Sequence, residues 1–195
     1  MKKANTKRDM KNRIIQVAME MFREKSFHTV TVDQIVEKAG TSKGGFYYYF
    51  NSKDDLLLYW WPILDQEYDS WYEKHKGTLP AKELLLQFNL EYLKTVEEEK
   101  VASIQELKVI LANQLGVAPG LIHEEANRSL FVNLNHIIQE GQANGEISTE
   151  YSYKELAKMY VTVQRGITYD WLLTNGAGSL IEYGQRIMRL FVQSF

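Results

Sequence analysis

Apolar residues recur with a period near 3.6 from one end of this chain to the other, and no stretch alternates apolar and polar residues with β-branched enrichment. That pattern admits helices and leaves no place for a sheet, so the predicted fold class is all-α. The punctuation divides the chain into about nine helices, over about 6–25, 31–39, 43–50, 54–76, 81–98, 101–114, 121–144, 153–174 and 179–194. No fixed-period repeat argues for a solenoid. A chain of 195 residues can bury a substantial core. With no Cys there is no disulfide framework, thiol nucleophile or Cys-ligated metal. No run reaches the roughly 18 apolar residues of a membrane span, and 1–8 leads into a charged helix rather than a signal-peptide core. The expected address is the cytoplasm, with no membrane partner.

The formal charge of −2 conceals a segregation. Residues 1–53 carry 11 Lys and Arg against 5 Asp and Glu, a net of +6, whereas the rest carry 12 against 20, a net of −8. A basic head on an acidic body suits a head that meets a polyanion. The blander reading is a few solvated lysines, which fits Lys2, Lys3 and Lys7 better than Lys43 and Lys53.

The stretch from Thr31 to Phe50 reads as helix, turn, helix. Thr31 is placed as the N-cap of a short helix whose inner face is Ile35, Val36 and Ala39. Gly40 follows at the position that often needs a left-handed backbone, and Ser42 caps the next helix. Phe46 and Phe50, four apart, are predicted to face inward. Lys43, Gly44, Tyr47 and Tyr48 are left to face a DNA groove. Gly44 and Gly45 each cost about 1 kcal/mol of helix stability relative to Ala, which a close approach to DNA explains.

Over Arg8 to about Leu57 this sequence resembles the DNA-binding domain of the TetR family of bacterial transcriptional regulators. The matching features are a long first helix running to Phe27, Thr31-Val-Asp-Gln-Ile-Val-Glu-Lys-Ala-Gly-Thr-Ser, and then Gly44-Gly-Phe-Tyr-Tyr-Tyr-Phe-Asn-Ser-Lys53. The departures are Ser26 for the usual Gly, Val36 for Ala, Thr41 for Val, Gly45 for Thr or Ser, and Tyr49 for His. The resemblance implies a helix-turn-helix domain over 1–53 and a helical ligand-binding and dimerisation domain over 54–195. It implies phosphate contacts from Thr31, Ser42, Tyr47, Tyr49 and Lys53, and base-edge contacts from Lys43, Gly44 and Tyr48, with Lys7 and Arg8 reaching a phosphate or the minor groove. The partner so implied is a double-stranded DNA operator.

Aromatic residues concentrate where head meets body: 11 of 24 lie between Phe46 and Tyr72. In the TetR family the fourth helix links the head to a ligand pocket in the middle helices. By similarity Trp61, Tyr68, Trp71, Phe88, Tyr92, Leu107, Ile110 and Phe131 line that pocket; the alternative is that they fill the bundle core. Such a pocket favours a small apolar or aromatic effector, cations being drawn by aromatic faces and an acidic surround, without excluding anionic acyl ligands. Arg128 and Arg165 can meet a carboxylate or phosphate, although a salt bridge is the commoner use. Pro62 falls inside the fourth helix and either bends it, as a hinge, or marks a local break at Trp61.

The last two helices carry Tyr160, Val163, Ile167 and Trp171, then Leu180, Ile187, Met188 and Phe191, at helical spacing. The family uses this pair for a four-helix homodimer interface; the alternative is burial within one subunit. Catalysis is not expected. His28, His75, His123 and His136 are scattered, and the chain has no zinc, nucleophile-elbow, P-loop or dinucleotide motif. His123 with Glu124 and Glu125 reads as a helix start rather than a metal site, so neither metal nor cofactor is expected. The function implied is a homodimeric repressor whose effector releases it from a palindromic operator through the fourth helix. The alternatives are an effector that acts as corepressor, or no small-molecule input.

Overall fold

The computed structural model describes residues 2–25, 27, 29–98, 103–108, 111 and 128–195, leaving aside the side chains of 2–8, 23, 58 and 60–64. Among them there is no strand. Helices α1 (Lys2–Glu24), α2 (Val32–Ala39) and α3 (Lys43–Tyr47) form the head. A 3-10 helix, Asp54–Trp60, leads into α4 (Trp61–His75), followed by α5 (Ala81–Glu97), a helical stretch at 104–108, α6 (Ser129–Ala143), α7 (Tyr153–Leu173) and α8 (Leu180–Gln193). The predicted Ile110 and His123, and the departure at Ser26, lie outside the described residues.

The local chemistry explains these boundaries. Thr31 and Gln34 form a capping box at α2, the Gln34 N–H donating to Thr31 Oγ1 at 3.3 Å and the Thr31 N–H to Gln34 Oε1 at 2.9 Å. Gly40 ends α2 in the left-handed region at φ 70°, where a Cβ would be strained. Ser152 with Glu155 repeats the box at α7, and Ser179 caps α8.

The fourth helix is the correction. It does not run as one α-helix over 54–76: the first seven residues are 3-10, and the α-helix starts at Trp61. Pro62 therefore sits in the first turn, where a missing N–H costs nothing, rather than in the interior, where it removes a bond to the Leu58 carbonyl. Of the two readings of Pro62, the break at Trp61 matches the structure.

Two cores result. The head core joins Ile14, Ala18 and Phe22 of α1 to Ile35 and Ala39 of α2, Phe46 and Phe50, and extends to Leu56 and Leu57 on the 3-10 helix. The body core is built around α5, with Leu85, Phe88 and Leu93 packed against Leu134, Ile137 and Ile138 of α6, Tyr160 and Ile167 of α7, and Met188 and Val192 of α8. Each such fully buried side chain contributes about 1.5–3 kcal/mol of transfer free energy. No described helix is long and apolar enough to cross a membrane.

Candidate functional site

The α2–turn–α3 unit presents one face to its own core and the other to solvent. Phe46 is fully buried and Phe50 nearly so, 5.1 Å apart between ring centroids. That anchoring turns the opposite side of α3 outward, leaving Tyr47 54% and Tyr48 65% exposed beside exposed Lys43 and Gly44. Two large aromatic side chains held in water by a helix this short form a surface suited to stacking on sugars and hydrogen-bonding phosphates. Tyr49 is half-buried against the head core and stands edge-on to Tyr48 at 4.9 Å. Ser42 Oγ accepts the Gly45 N–H at 3.1 Å, so Thr31 and Ser42 both act first as caps while remaining exposed.

Lys43 pairs with Asp33 of α2 at 2.8 Å, and the hydrogen bond to that carboxylate raises its pKa. Both side chains are mostly exposed, so the pair is weak and a phosphate or base acceptor can displace it. Two departures from the family pattern are explained together. A Cβ at Gly45 would collide with Thr41 Oγ1, so the Thr41 rotamer in place and a side chain at 45 exclude each other.

Lys53 requires a correction. Its ammonium points inward, donating to the Phe27 carbonyl at 2.7 Å and the Val30 carbonyl at 2.9 Å, with the Phe27 ring 4.2 Å away. Burial lowers its pKa. Two of its three N–H donors are used to tie down the α1–α2 loop, so it supports the DNA face from inside rather than presenting a cation on it.

The same loop is gripped from the body side. Glu106, 5% exposed on the 104–108 stretch, accepts the Phe27 N–H at 2.7 Å and the Ser103 N–H at 2.6 Å. The Phe27 residue is therefore held between a body carboxylate at its N–H and a head ammonium at its carbonyl. Leu107 packs against both cores. On its other side the stretch reaches the α7–α8 turn, where Lys108 Nζ donates to Asn175 Oδ1 at 2.8 Å. Nothing local in the sequence points to Glu106, whose partner Phe27 lies 79 residues away.

α4 is fastened to α6 by a second polar set. Arg128 makes two hydrogen bonds to Asp65, at 3.0 and 3.2 Å, both side chains being 17% exposed. Asp69 accepts from Ser129 Oγ at 2.6 Å and Asn133 Nδ2 at 3.1 Å. Arg128 thus takes the commoner of its two predicted uses. Arg128→Ala is expected to cost about 2 kcal/mol of unfolding free energy in urea melts, because it strands a largely buried carboxylate. Adding Asp65→Asn should recover part of the loss; a single variant as stable as the parent would reduce the pair to a surface contact.

Of the predicted ligand residues, Tyr68, Phe88 and Phe131 lie in the body core, and Trp71, Tyr92 and Leu107 are partly buried against it; the Trp61 side chain is outside the described set. Phe88 brings Tyr68 and Trp71 together, its ring centroid 5.3 and 5.4 Å from theirs. Burial raises the pKa of Tyr68 well above its ordinary value. Reaching this aromatic region through Tyr92, which acts on Tyr68, is a polar row that sequence reasoning missed: Asn89, Gln164, Thr168 and Tyr92. Elsewhere a cleft of about 310 Å³ opens at the α7–α8 turn, lined by Asp170, Thr174, Glu182, Tyr183 and Arg186. Trp171 and Ala177 also belong to its lining, which is mixed in polarity and open to the outside, distinct from the aromatic region predicted to hold an effector.

The predicted dimer residues divide. Tyr160, Ile167, Trp171, Leu180 and Met188 are buried within the single chain, Tyr160 donating to the Leu85 carbonyl at 2.8 Å. Only Val163, Ile187 and Phe191 keep partial exposure. The apolar stripes were read correctly, but for those five residues the partner is the chain's own body. Met159, Tyr169 and Leu173 on α7 and Tyr183 and Leu190 on α8 are the exposed apolar residues of this pair.

Residues 14–59 match the family model described as bacterial regulatory proteins, tetR family. No curated protein sequence matches the chain. Bacillus subtilis FadR, a transcriptional regulator solved in complex with stearoyl-CoA, is similar at 21% identity and TM-score 0.65, over 94% of this chain and 98% of its own. Thermus thermophilus FadR, a TetR-family transcriptional repressor solved with lauroyl-CoA, is similar at 19% identity and TM-score 0.74, over 94% of each chain. Salmonella enterica GusR is similar at 18% identity and TM-score 0.58, over 95% of this chain and 96% of its own. At these identities the structures share the fold, and it is the head sequence that carries the family. Residues 14–59 thus carry the sequence of the tetR family of bacterial regulatory proteins, on a chain that shares the fold of these solved regulators.

Proposed function

We propose that the protein is a homodimeric repressor that occupies a near-palindromic operator and leaves it when a small apolar effector enters the body. The observation that carries the DNA part is α3: Tyr47 and Tyr48 held in solvent beside Lys43 and Gly44 by the buried anchors Phe46 and Phe50. Lys43 and Gly44 meet base edges with Tyr48, while Thr31, Ser42, Tyr47 and Tyr49 position the helix on phosphates. Two such helices enter successive major grooves roughly 34 Å apart.

Support for the dimer comes from the outer face of α7 and α8. Met159, Gly166, Tyr169 and Leu173 follow steps of seven, three and four, so they share one stripe of α7. Gly166 has no neighbour within 4 Å of where its Cβ would stand. A mid-helix Gly costs about 1 kcal/mol relative to Ala, and nothing among the described residues of its own chain requires it. A second copy of α7 crossing closely at that point does. Tyr183 and Leu190 of α8 extend the same patch.

For the effector, an acyl thioester is the favoured class. Two similar regulators were solved with stearoyl-CoA and lauroyl-CoA, and the aromatic region around Phe88 suits an acyl chain. Its entry is relayed to the heads by α4, clamped to α6 through Arg128, and by Glu106 on the Phe27 loop. An effector releases DNA to the extent that it binds better to the arrangement in which the heads no longer fit both half-sites.

The test is binding to the DNA flanking the protein's own gene, titrated against salt. Specific, steeply salt-dependent binding is expected. Lys43→Ala should weaken it by about 1–3 kcal/mol and relax the preference at one base position, whereas Tyr47→Phe should weaken binding to all sequences alike. Equal affinity of parent and both variants for the selected site would remove α3 as the reading helix.

A further inference from the structure

The interior polar row ends in an unanswered donor. Asn89 and Gln164 are 0% and 2% exposed, and Gln164 Nε2 donates to Asn89 Oδ1 at 3.3 Å. Thr168 Oγ1 donates to the Gln164 carbonyl at 3.1 Å. Its single proton is thereby used, so in the 2.9 Å contact with Tyr92 the tyrosine hydroxyl is the donor. Followed the other way, the row stops at Asn89 Nδ2, a buried amide nitrogen with no hydrogen-bond partner among the described residues. A donor left so costs more than an apolar side chain in its place, so a core selected only for stability has no reason to carry it. At its other end the row reaches Tyr92, whose hydroxyl acts on that of Tyr68, one of the two rings gathered on Phe88.

We propose that the Asn89 amide is the effector's polar anchor, donating to an uncharged carbonyl set within an apolar chain; this rests on the acyl-thioester reading above and names the atom that recognises it. The row contains no charged side chain, and Arg128 is already committed to Asp65. Arg165 and Arg128 act on the row only at its Tyr92 end, so a carboxylate brought to Asn89 would be desolvated with no charged group bonded to it, whereas a thioester carbonyl asks only for a donor. Specificity of this kind is strong because the analogue lacking the acceptor leaves the donor unpaired in the complex.

The experiment compares lauroyl-CoA with S-dodecyl-CoA, the thioether that differs in lacking the carbonyl oxygen, by calorimetric titration of the full chain. The parent is expected to bind the thioester about tenfold more tightly, the worth of one buried hydrogen bond. Asn89→Leu should bind both compounds alike, at the parent's affinity for the thioether. Without ligand, the double variant Asn89→Leu with Gln164→Met should melt above the parent, since it removes every unpaired donor of the row. Equal binding of both compounds by the parent, a preference that survives in Asn89→Leu, or a lower melting point of the double variant each overturns the assignment. Binding of neither compound overturns the acyl-thioester reading and this one with it.

Discussion

Replacing Leu173 and Leu190 together by glutamate is expected to turn a dimer into a folded monomer and to weaken operator binding roughly 10²–10⁴-fold. Both side chains are exposed, at 65% and 68%, so the charges enter water in the isolated chain and the body core is untouched. In a dimer packed through this face the same charges are buried against their symmetry copies, where desolvation and like-charge repulsion act together. The loss at the operator is large because the second head then binds as a separate molecule rather than at the high effective concentration set by the first. Light scattering gives the mass and a gel-shift titration gives the affinity. A double variant that still sediments as a dimer would place the interface elsewhere, and the cleft at the α7–α8 turn would then be the face to examine. Met188→Glu is the contrast: its side chain is fully buried in its own protomer, so the chain should unfold rather than dissociate.

Glu106→Ala is expected to cost about 3 kcal/mol of unfolding free energy, because it removes the acceptor for two backbone N–H groups and leaves both without their charged partner. In a chain of this size that is a fall in melting temperature of about 6–12 °C. Its effect on regulation separates it from an ordinary core defect. The α2–α3 unit keeps its caps and its anchors, so at a temperature where the variant is folded its DNA affinity should stay close to the parent's. The effector concentration needed to release DNA should rise, since one of the two routes from body to head has been cut. Glu106→Gln, which keeps one acceptor oxygen, should fall between. An alanine variant released by the same effector concentration as the parent would leave α4 as the sole route.

These expectations divide by the range of the interactions behind them. The helix-turn-helix was legible because everything that defines it lies within four residues along the chain: Thr31 caps onto Gln34, Ser42 onto Gly45, Gly40 supplies the left-handed turn, and Phe46 and Phe50 fall on one helical face. Residue type and spacing are sufficient for such features. The apolar stripes of α7 and α8 were legible for the same reason. Lys53 was misjudged because a cation in a basic head looks like a phosphate ligand until the carbonyls of Phe27 and Val30, 26 and 23 residues away, are brought to it.

By itself, then, the sequence determined the all-helical class, the helix-turn-helix and the surface of α3 turned to solvent, since each follows from local propensity, capping and periodicity. Tertiary structure alone decided which stripe of α7 and α8 the body consumes and which it leaves exposed, that Glu106 closes on the Phe27 loop, and that Asn89 carries its amide unanswered into the core. Periodicity states that a face is apolar or that a residue is polar. What covers that face, and what stands opposite that residue, depends on segments tens of residues distant that only packing brings together.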